Sequence, residues 1–436
     1  MVLPRKRAGR LFYGWVIVAV AFASCVVMSA MWGSFSLFYV ALVDEFGWSR
    51  TTTAGAFSVF VAMVGLSATF AGWMVDRLGP RKVMPVSAVV LASGLALASR
   101  ISEPWQLYLV YGTVLPVSLS CVGIIPHLRL ISNWFEARRG TAFGIATSGF
   151  GFGSVVLMPT VQYLVLHYGW RNAYLAIAGL ALLLAPLTGF FHRRHPRDMG
   201  LLPDGREASN LDAGPPGRLV GATASRTSSS LGDYGLRQAM STTNFWVVFA
   251  VNICLSLTSL IPVFQVAHIV GIGFPPMLAA TISGLAGLLN AVGRMLGGFL
   301  TDRIGKVSAG LAGVLLLTLG VLASLLAGTV QASWLLFAYS LLFGLGWGFV
   351  GITAAAIIAD LFQGRSYGTL AGFLELGGGI GGFIGPWLGG YIFDRYGAYT
   401  LAFAIAIVSV WICGGLFKLA YRGTATDSLS HHGGRG

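Results

Sequence analysis

Apolar residues in this chain come in long unbroken runs rather than at alternate positions or on one helical stripe. Crossing about 30 Å of hydrocarbon takes about 20 helical residues. Runs of that length fall at roughly 13–42, 52–75, 83–100, 105–132, 140–166 and 171–191. Six more fall at roughly 244–270, 277–300, 307–328, 332–359, 367–393 and 399–421. The pattern predicts an all-α polytopic membrane protein of twelve transmembrane helices. They form two six-helix halves, residues 1–191 and 241–436, joined by a polar connector at 192–240. The connector holds Pro215-Pro216-Gly217 and a Ser/Thr/Arg-rich stretch from Thr223 to Ser230. It cannot bury a core and reads as a flexible cytoplasmic link.

Composition agrees. Of 436 residues, 56% are hydrophobic and 10% charged, whereas a soluble domain carries about 25% charged residues. The 60 glycines suit helices that pack backbone to backbone in lipid. The net charge of +13 lies in short segments between apolar runs, not along one stripe, which argues against nucleic acid as a partner. With a cytoplasmic N-terminus, Arg5, Lys6, Arg7, Arg10 and nearly every later loop cation fall inside, and Arg50, Arg100, Arg171 and Arg395 fall outside. That asymmetry predicts a multi-pass inner-membrane protein with both termini cytoplasmic. The first apolar run is too long for a cleaved signal and is expected to stay as a helix. Cys25, Cys121, Cys254 and Cys413 all lie within apolar runs and read as small buried hydrophobes.

The two halves are copies. Gly72-x-x-x-Asp76-Arg77-x-Gly79-x-Arg81-Lys82 closes the second run, and Gly298-x-x-x-Asp302-Arg303-x-Gly305-Lys306 closes the eighth. Asn133-Trp134-Phe135-x-x-Arg138 is matched by Asp360-Leu361-Phe362-x-x-Arg365, and Pro159 by Pro386, at an offset of 226 or 227 positions.

These residues carry a resemblance to the major facilitator superfamily, whose helix 2–3 signature residues 72–82 match at each specified position. Tyr13-Gly14-Trp15, Glu45-Phe46-Gly47-Trp48-Ser49-Arg50, Asn133 to Gly140 and Gly169-Trp170-Arg171 resemble its monocarboxylate and oxalate/formate transporter branch. The resemblance implies a secondary carrier of a small carboxylate, with protons or a counter-anion as coupling partner. A monomer in the lipid bilayer is expected. It also implies a conformational latch at the cytoplasmic helix ends, made by Asp76, Arg77, Arg81, Asp302, Arg303, Arg138 and Arg365.

A charge at the bilayer centre costs several kcal/mol unless it is paired or hydrated. Arg294, eight residues before Asp302, lies about 12 Å inside its helix end. It reads as the carboxylate site, since a guanidinium matches a carboxylate bidentately. The resemblance implies the same role for a helix 8 arginine. Asn290 is one turn away on the same face. Glu375 lies at similar depth on helix 11, either as a buried structural carboxylate or as a proton site that pairs with Arg294 when the cavity is empty. Its negative charge, where an oxalate carrier has a lysine, favours a monoanion. Gly33 stands where animal relatives carry a lysine. His127 is a second proton-coupling candidate or a packing residue, and Trp347 and Tyr111 either wall the site or face elsewhere. Oxalate/formate-type exchange and efflux of amphipathic drugs are the rival transport readings. No His-Glu-x-x-His, Gly-x-Ser-x-Gly or phosphate-loop pattern occurs, so no enzyme, metal or cofactor is expected.

Overall fold

The computed structural model describes residues 12–136, 138–193, 196–199, 201–205, 236–362 and 367–430. The side chains at 69, 76, 125, 197, 198, 205, 236, 367–369, 371 and 421–430 are excluded. The amino-terminal cations, the middle of the connector, the Asp76 side chain and Arg365 therefore lie outside the described residues.

Among the described residues, ten helices are long and apolar enough to cross a membrane. One of them, Arg139–Phe191, breaks at Gly169 (φ 81°, ψ 156°) and supplies two spans. The glycine-rich helix Tyr367–Tyr396 completes the twelve. In chain order they are α1 (Gly14–Phe46), α2 (Arg50–Leu78), α3 (Pro80–Ala98) and α4 (Pro104–Trp134), then α5 (139–168) and α6 (170–191). The second half contains α7 (Thr243–Gly271), α8 (Pro276–Ile304), α9 (Lys306–Val330), α10 (Ser333–Leu361), α11 (Tyr367–Tyr396) and α12 (Thr400–Ser430). Three spans are less regular than the sequence suggests: α4 contains a π-helical turn at Val110–Val114 and a break at Gly123, α6 is divided at Leu183, and α7 is divided at Thr258 and Ser259.

Local chemistry sets several ends. Ser49 caps α2 by accepting the Thr52 N–H at 3.0 Å. Pro80 and Pro104 occupy first-turn positions, where a missing N–H is harmless. The backbone records the duplication more plainly than the sequence does. The positive-φ glycines among the described residues fall into pairs, Gly47 with Gly273, Gly79 with Gly305, and Gly169 with Gly397. Gly79 (84°, 150°) and Gly305 (85°, 152°) are nearly superimposable in torsion space. A Cβ strains that region by about 1–3 kcal/mol. Gly79→Ala is thus expected to lower unfolding stability by that amount, read as an earlier melting transition of the purified protein. An unchanged transition would show the hairpin to be pliable.

The helices place α1, α3, α5, α7, α9 and α11 starts on one face and their ends on the other. The first, the basic face, carries Arg77, Arg81, Arg138, Arg303 and Lys306; the far face carries Arg50 and Asp394. The halves meet chiefly through α2 with α11 and α5 with α8, and α1 also packs on α7. The two larger contacts lie toward the far face. A Cβ on Gly382 of α11 would fall 2.4 Å from Val61 of α2, and one on Gly284 of α8 would fall 2.6 Å from the Ser154 carbonyl of α5. Continuing along the same helical faces toward the basic side, Gly65, Gly72, Gly140, Gly144, Gly372 and Gly379 have nothing within 4 Å of such a Cβ. The halves are joined at the far face and splayed at the basic face.

The first end of the connector is docked on the first half. Trp134 donates its indole N–H to the Arg193 carbonyl (2.9 Å), and Asp204 accepts the Glu136 N–H (3.2 Å). Residues 206–235 lie outside the described residues.

Candidate functional site

The α8 helix has four distinct flanks. Gly284, Gly287 and Leu288 meet α5, while Gly293 and Gly297 let the α10 backbone approach. Of the two remaining flanks, one carries the exposed Leu296 and Phe299 and suits lipid. The other carries Asn290 and Arg294 and faces the gap between the halves. Arg294 lies ten residues, about 15 Å, from the end of α8 at Ile304. It is enclosed by protein yet accessible to solvent. A deep arginine that is both enclosed and accessible lines a cavity. Its Nε–H donates to Asn290 Oδ1 at 3.3 Å, leaving the terminal nitrogens for a ligand. Gly348 of α10 packs directly on the Asn290 and Arg294 backbone, and a Cβ on Gly351 would lie 3.9 Å from an Arg294 terminal nitrogen. The guanidinium therefore has room beside it on α10.

Glu375 lies eight residues, about 12 Å, into α11. It shares the helical face that further out meets α2 at Gly382, so it too looks into the gap. Like Arg294 it is enclosed and accessible. Its Oε1 and the Ser256 Oγ of α7 flank Gly378, 3.6 and 3.2 Å from where a Cβ would be. The expected empty-cavity pair is not formed: among the described residues no ion pair joins Glu375 to Arg294. Glu375 lies beside Gly378 near Ser256 of α7, and an Arg294 terminal nitrogen lies beside Gly351 of α10.

The other candidates separate. Trp347 is half-buried on the flank of α10 opposite the exposed Trp334 and Leu341, with its ring 5.5 Å from Phe343. That places it on the interior side. Tyr111 has no accessible surface; its hydroxyl donates to the Met31 carbonyl (3.0 Å) amid Phe35 and Phe60. In this conformation it offers nothing to a substrate, because the first-half core consumes it. His127 is also buried, its Nδ1–H donating to the Gly123 carbonyl (2.8 Å), with the His192 ring 5.2 Å away. Burial next to His127 holds the His192 imidazole well below the ordinary histidine range, so it stays neutral. Gly33, at the position of the animal lysine, is packed against Met158 Sδ, 2.5 Å from a notional Cβ, so a larger residue there would need the Met158 side chain to move.

At the basic face the latch candidates lie along the helix ends. Arg81 donates to the Gly189 carbonyl (3.2 Å), Arg77 lies over Trp73 and Arg303 over Phe299, and Arg138 and Asp302 are exposed. The ion pair described there, Lys306 with Asp360, joins α9 to α10 inside one half.

Sequence reasoning missed the far-face seal of Tyr39, Arg50, Phe264, Asp394 and Tyr399. A signal was present: Asp394-Arg395-x-Gly397 is a third Asp-Arg-x-Gly, closing α11 at the opposite face from the other two.

Comparison with known proteins agrees with this architecture. The Major Facilitator Superfamily model matches residues 20–374. Monocarboxylate transporter 13 of Rattus norvegicus is 27% identical over 400 residues, covering 90% of this chain and 86% of that protein. The uncharacterized MFS-type transporter YcxA of Bacillus subtilis (strain 168) is 24% identical over 431 residues, covering 96% and 98%. Among solved structures, a crystal structure of the nucleoside transporter NupG (a mutant form) shares the fold with a TM-score of 0.67 at 15% identity. It covers 94% of this chain and 100% of that one. Twelve spans in two like halves, splayed around a cavity and matched by the family model over most of their length, identify the chain as a member of the Major Facilitator Superfamily, a multi-pass membrane transporter.

Proposed function

We propose that the protein carries a small organic monoanion, a monocarboxylate such as lactate, across the inner membrane by alternating access with proton coupling. The observation that carries this reading is Arg294: an accessible guanidinium at mid-depth in an otherwise apolar bundle, with its terminal nitrogens free for a carboxylate. Glu375 in the same cavity offsets that charge while ionised; once it takes a proton, Arg294 can neutralise one anionic group there and not a second. The names of relatives such as Monocarboxylate transporter 13 point to the same substrate class. With both termini cytoplasmic, the basic face is the cytoplasmic one, and the conformation is inward-open. The latch residues at that face then lie apart, to meet when the cavity faces outward. Asp76 and Arg365, outside the described residues, belong to the same proposed latch. The halves move as units of 1–191 and 241–436 about the 192–240 connector.

The test is uptake of labelled mono- and dicarboxylates into proteoliposomes with and without an acid-outside gradient. Monocarboxylate accumulation that needs the gradient supports the reading. Counterflow without any response to the gradient would replace symport with exchange, which the same guanidinium can serve. Transport of amphipathic drugs but of no carboxylate would overturn it.

A further inference from the structure

We propose that Asp394 is a clasp that fastens the far face shut by capping the N-terminus of α2 from the opposite half of the molecule. The inference is independent of which substrate is carried.

The first backbone N–H groups of a helix have no partner within it and form its positive pole. In α2, Ser49 satisfies Thr52. The two preceding donors are satisfied from across the interface. Asp394 Oδ1 accepts the Arg50 N–H at 2.9 Å, and Oδ2 accepts the Thr51 N–H at 2.8 Å and the Thr51 hydroxyl at 2.6 Å. One carboxylate at the end of α11 thus makes three hydrogen bonds to the start of α2. The close approach needs Gly390, where a Cβ would fall 2.7 Å from the Arg50 carbonyl.

The Arg50 side chain extends the contact inward. Its guanidinium lies 3.8 Å over the Phe393 ring and donates to the Tyr399 hydroxyl. Beneath it, Tyr399 meets the Tyr39 hydroxyl at 3.4 Å, and Phe264 packs between the two, 4.9 Å from one ring and 5.4 Å from the other. Tyr39 and Phe264 have no accessible surface and Tyr399 has 3%. These aromatics plug the path, whereas Asp394 is exposed on the rim. Opening parts α11 from the start of α2, so it must break these three hydrogen bonds and remove the carboxylate from the helix's positive pole, a charge interaction that favours the closed contact.

The experiment measures far-face separation in the full-length, cysteine-substituted protein by double electron–electron resonance, with spin labels at Arg100→Cys and Trp334→Cys. Asp394→Asn is expected to raise the ratio of far-open to far-closed molecules about tenfold, the ratio carried by one charge-assisted hydrogen bond. Asp394→Glu, which keeps the charge, should restore most of the closed population. If Asp394→Asn does not fold, Thr51→Val removes one of the three bonds and should shift the ratio in the same direction, by less. An unchanged distance distribution in a folded Asp394→Asn or Thr51→Val protein would overturn the proposal. So would an equal shift in Asp394→Glu.

Discussion

Arg294→Lys is expected to reduce carboxylate uptake by roughly 10–100-fold while leaving the amount of protein in the membrane unchanged. The range corresponds to losing one charge-assisted hydrogen bond of about 1.5–3 kcal/mol. Lysine keeps the charge, so any loss isolates geometry. The guanidinium presents a rigid fork whose two parallel N–H groups match two carboxylate oxygens, while an ammonium binds as a point charge. The structure adds a second reason. Arg294 is oriented by its Nε–H to Asn290, which spends one donor on positioning and directs the others past Gly351. Lysine carries its three donors on a single nitrogen, so a bond to Asn290 would not leave a parallel pair aimed at the carboxylate. Uptake kinetics in proteoliposomes, normalised to reconstituted protein, supply the measurement. Wild-type affinity and rate in that variant would remove Arg294 from the site.

A qualitatively different outcome is expected for Glu375→Gln: loss of pH-driven accumulation, with exchange of internal for external substrate retained. Glutamine imitates the protonated carboxyl in shape and cannot shed or gain a proton. Two routes connected this residue to coupling. In one, substrate displaces Glu375 from Arg294; in the other, Glu375 takes a proton from solvent in the cavity before or with the anion. The open-to-basic-face conformation has Glu375 apart from Arg294 and accessible to solvent, which favours the second route. Accumulation ratios under an imposed pH gradient should fall to about one in the variant, since without a coupled ion a carrier only equilibrates its substrate. If the variant still concentrates substrate when driven by pH alone, the proton site lies elsewhere. His127 would then require a conformation that uncovers it, because here its ring is buried.

The spans were legible in the sequence because lipid imposes one rule on every face of a helix, so their positions could be read from run length alone. α4, α6 and α7 carried hidden irregularities, among them the π turn at Val110–Val114, the turn at Leu183 and the break at Thr258–Ser259, which hydropathy does not register. Arg294 and Glu375 stood out because charge is so scarce at that depth. Their separation was not legible, since depth along a helix says nothing about which neighbour a side chain leans toward. Tyr111 and His127 are polar residues within spans, like Arg294, and only packing distinguishes a core hydroxyl bonded to Met31 from a cavity wall. Asp394 was overlooked for the opposite reason. At the membrane edge a carboxylate is unremarkable in composition, and its role lies wholly in meeting the start of a helix 344 positions earlier in the chain.

The paired glycines imply an ancestry. If one six-helix unit was copied, α2 corresponds to α8 and α5 to α11, so the α2–α11 and α5–α8 contacts are two images of a single interface. The ancestor would have been a symmetric homodimer in which helix 2 of each chain met helix 5 of the other, an isologous arrangement. Fusion freed the two images to diverge, and they have. Arg294 and Glu375 correspond to Ala68 and Ser148, which places the charges in one half only. Asp394, three residues before Gly397, corresponds to Leu166, three before Gly169, and Arg50 to Pro276, so the second image lacks both the carboxylate and the first N–H it would cap. One seam keeps a fastening and the other is plain. A machine descended from symmetric parts would then open unequally, swinging about α5 and α8 as a door does about its hinged edge.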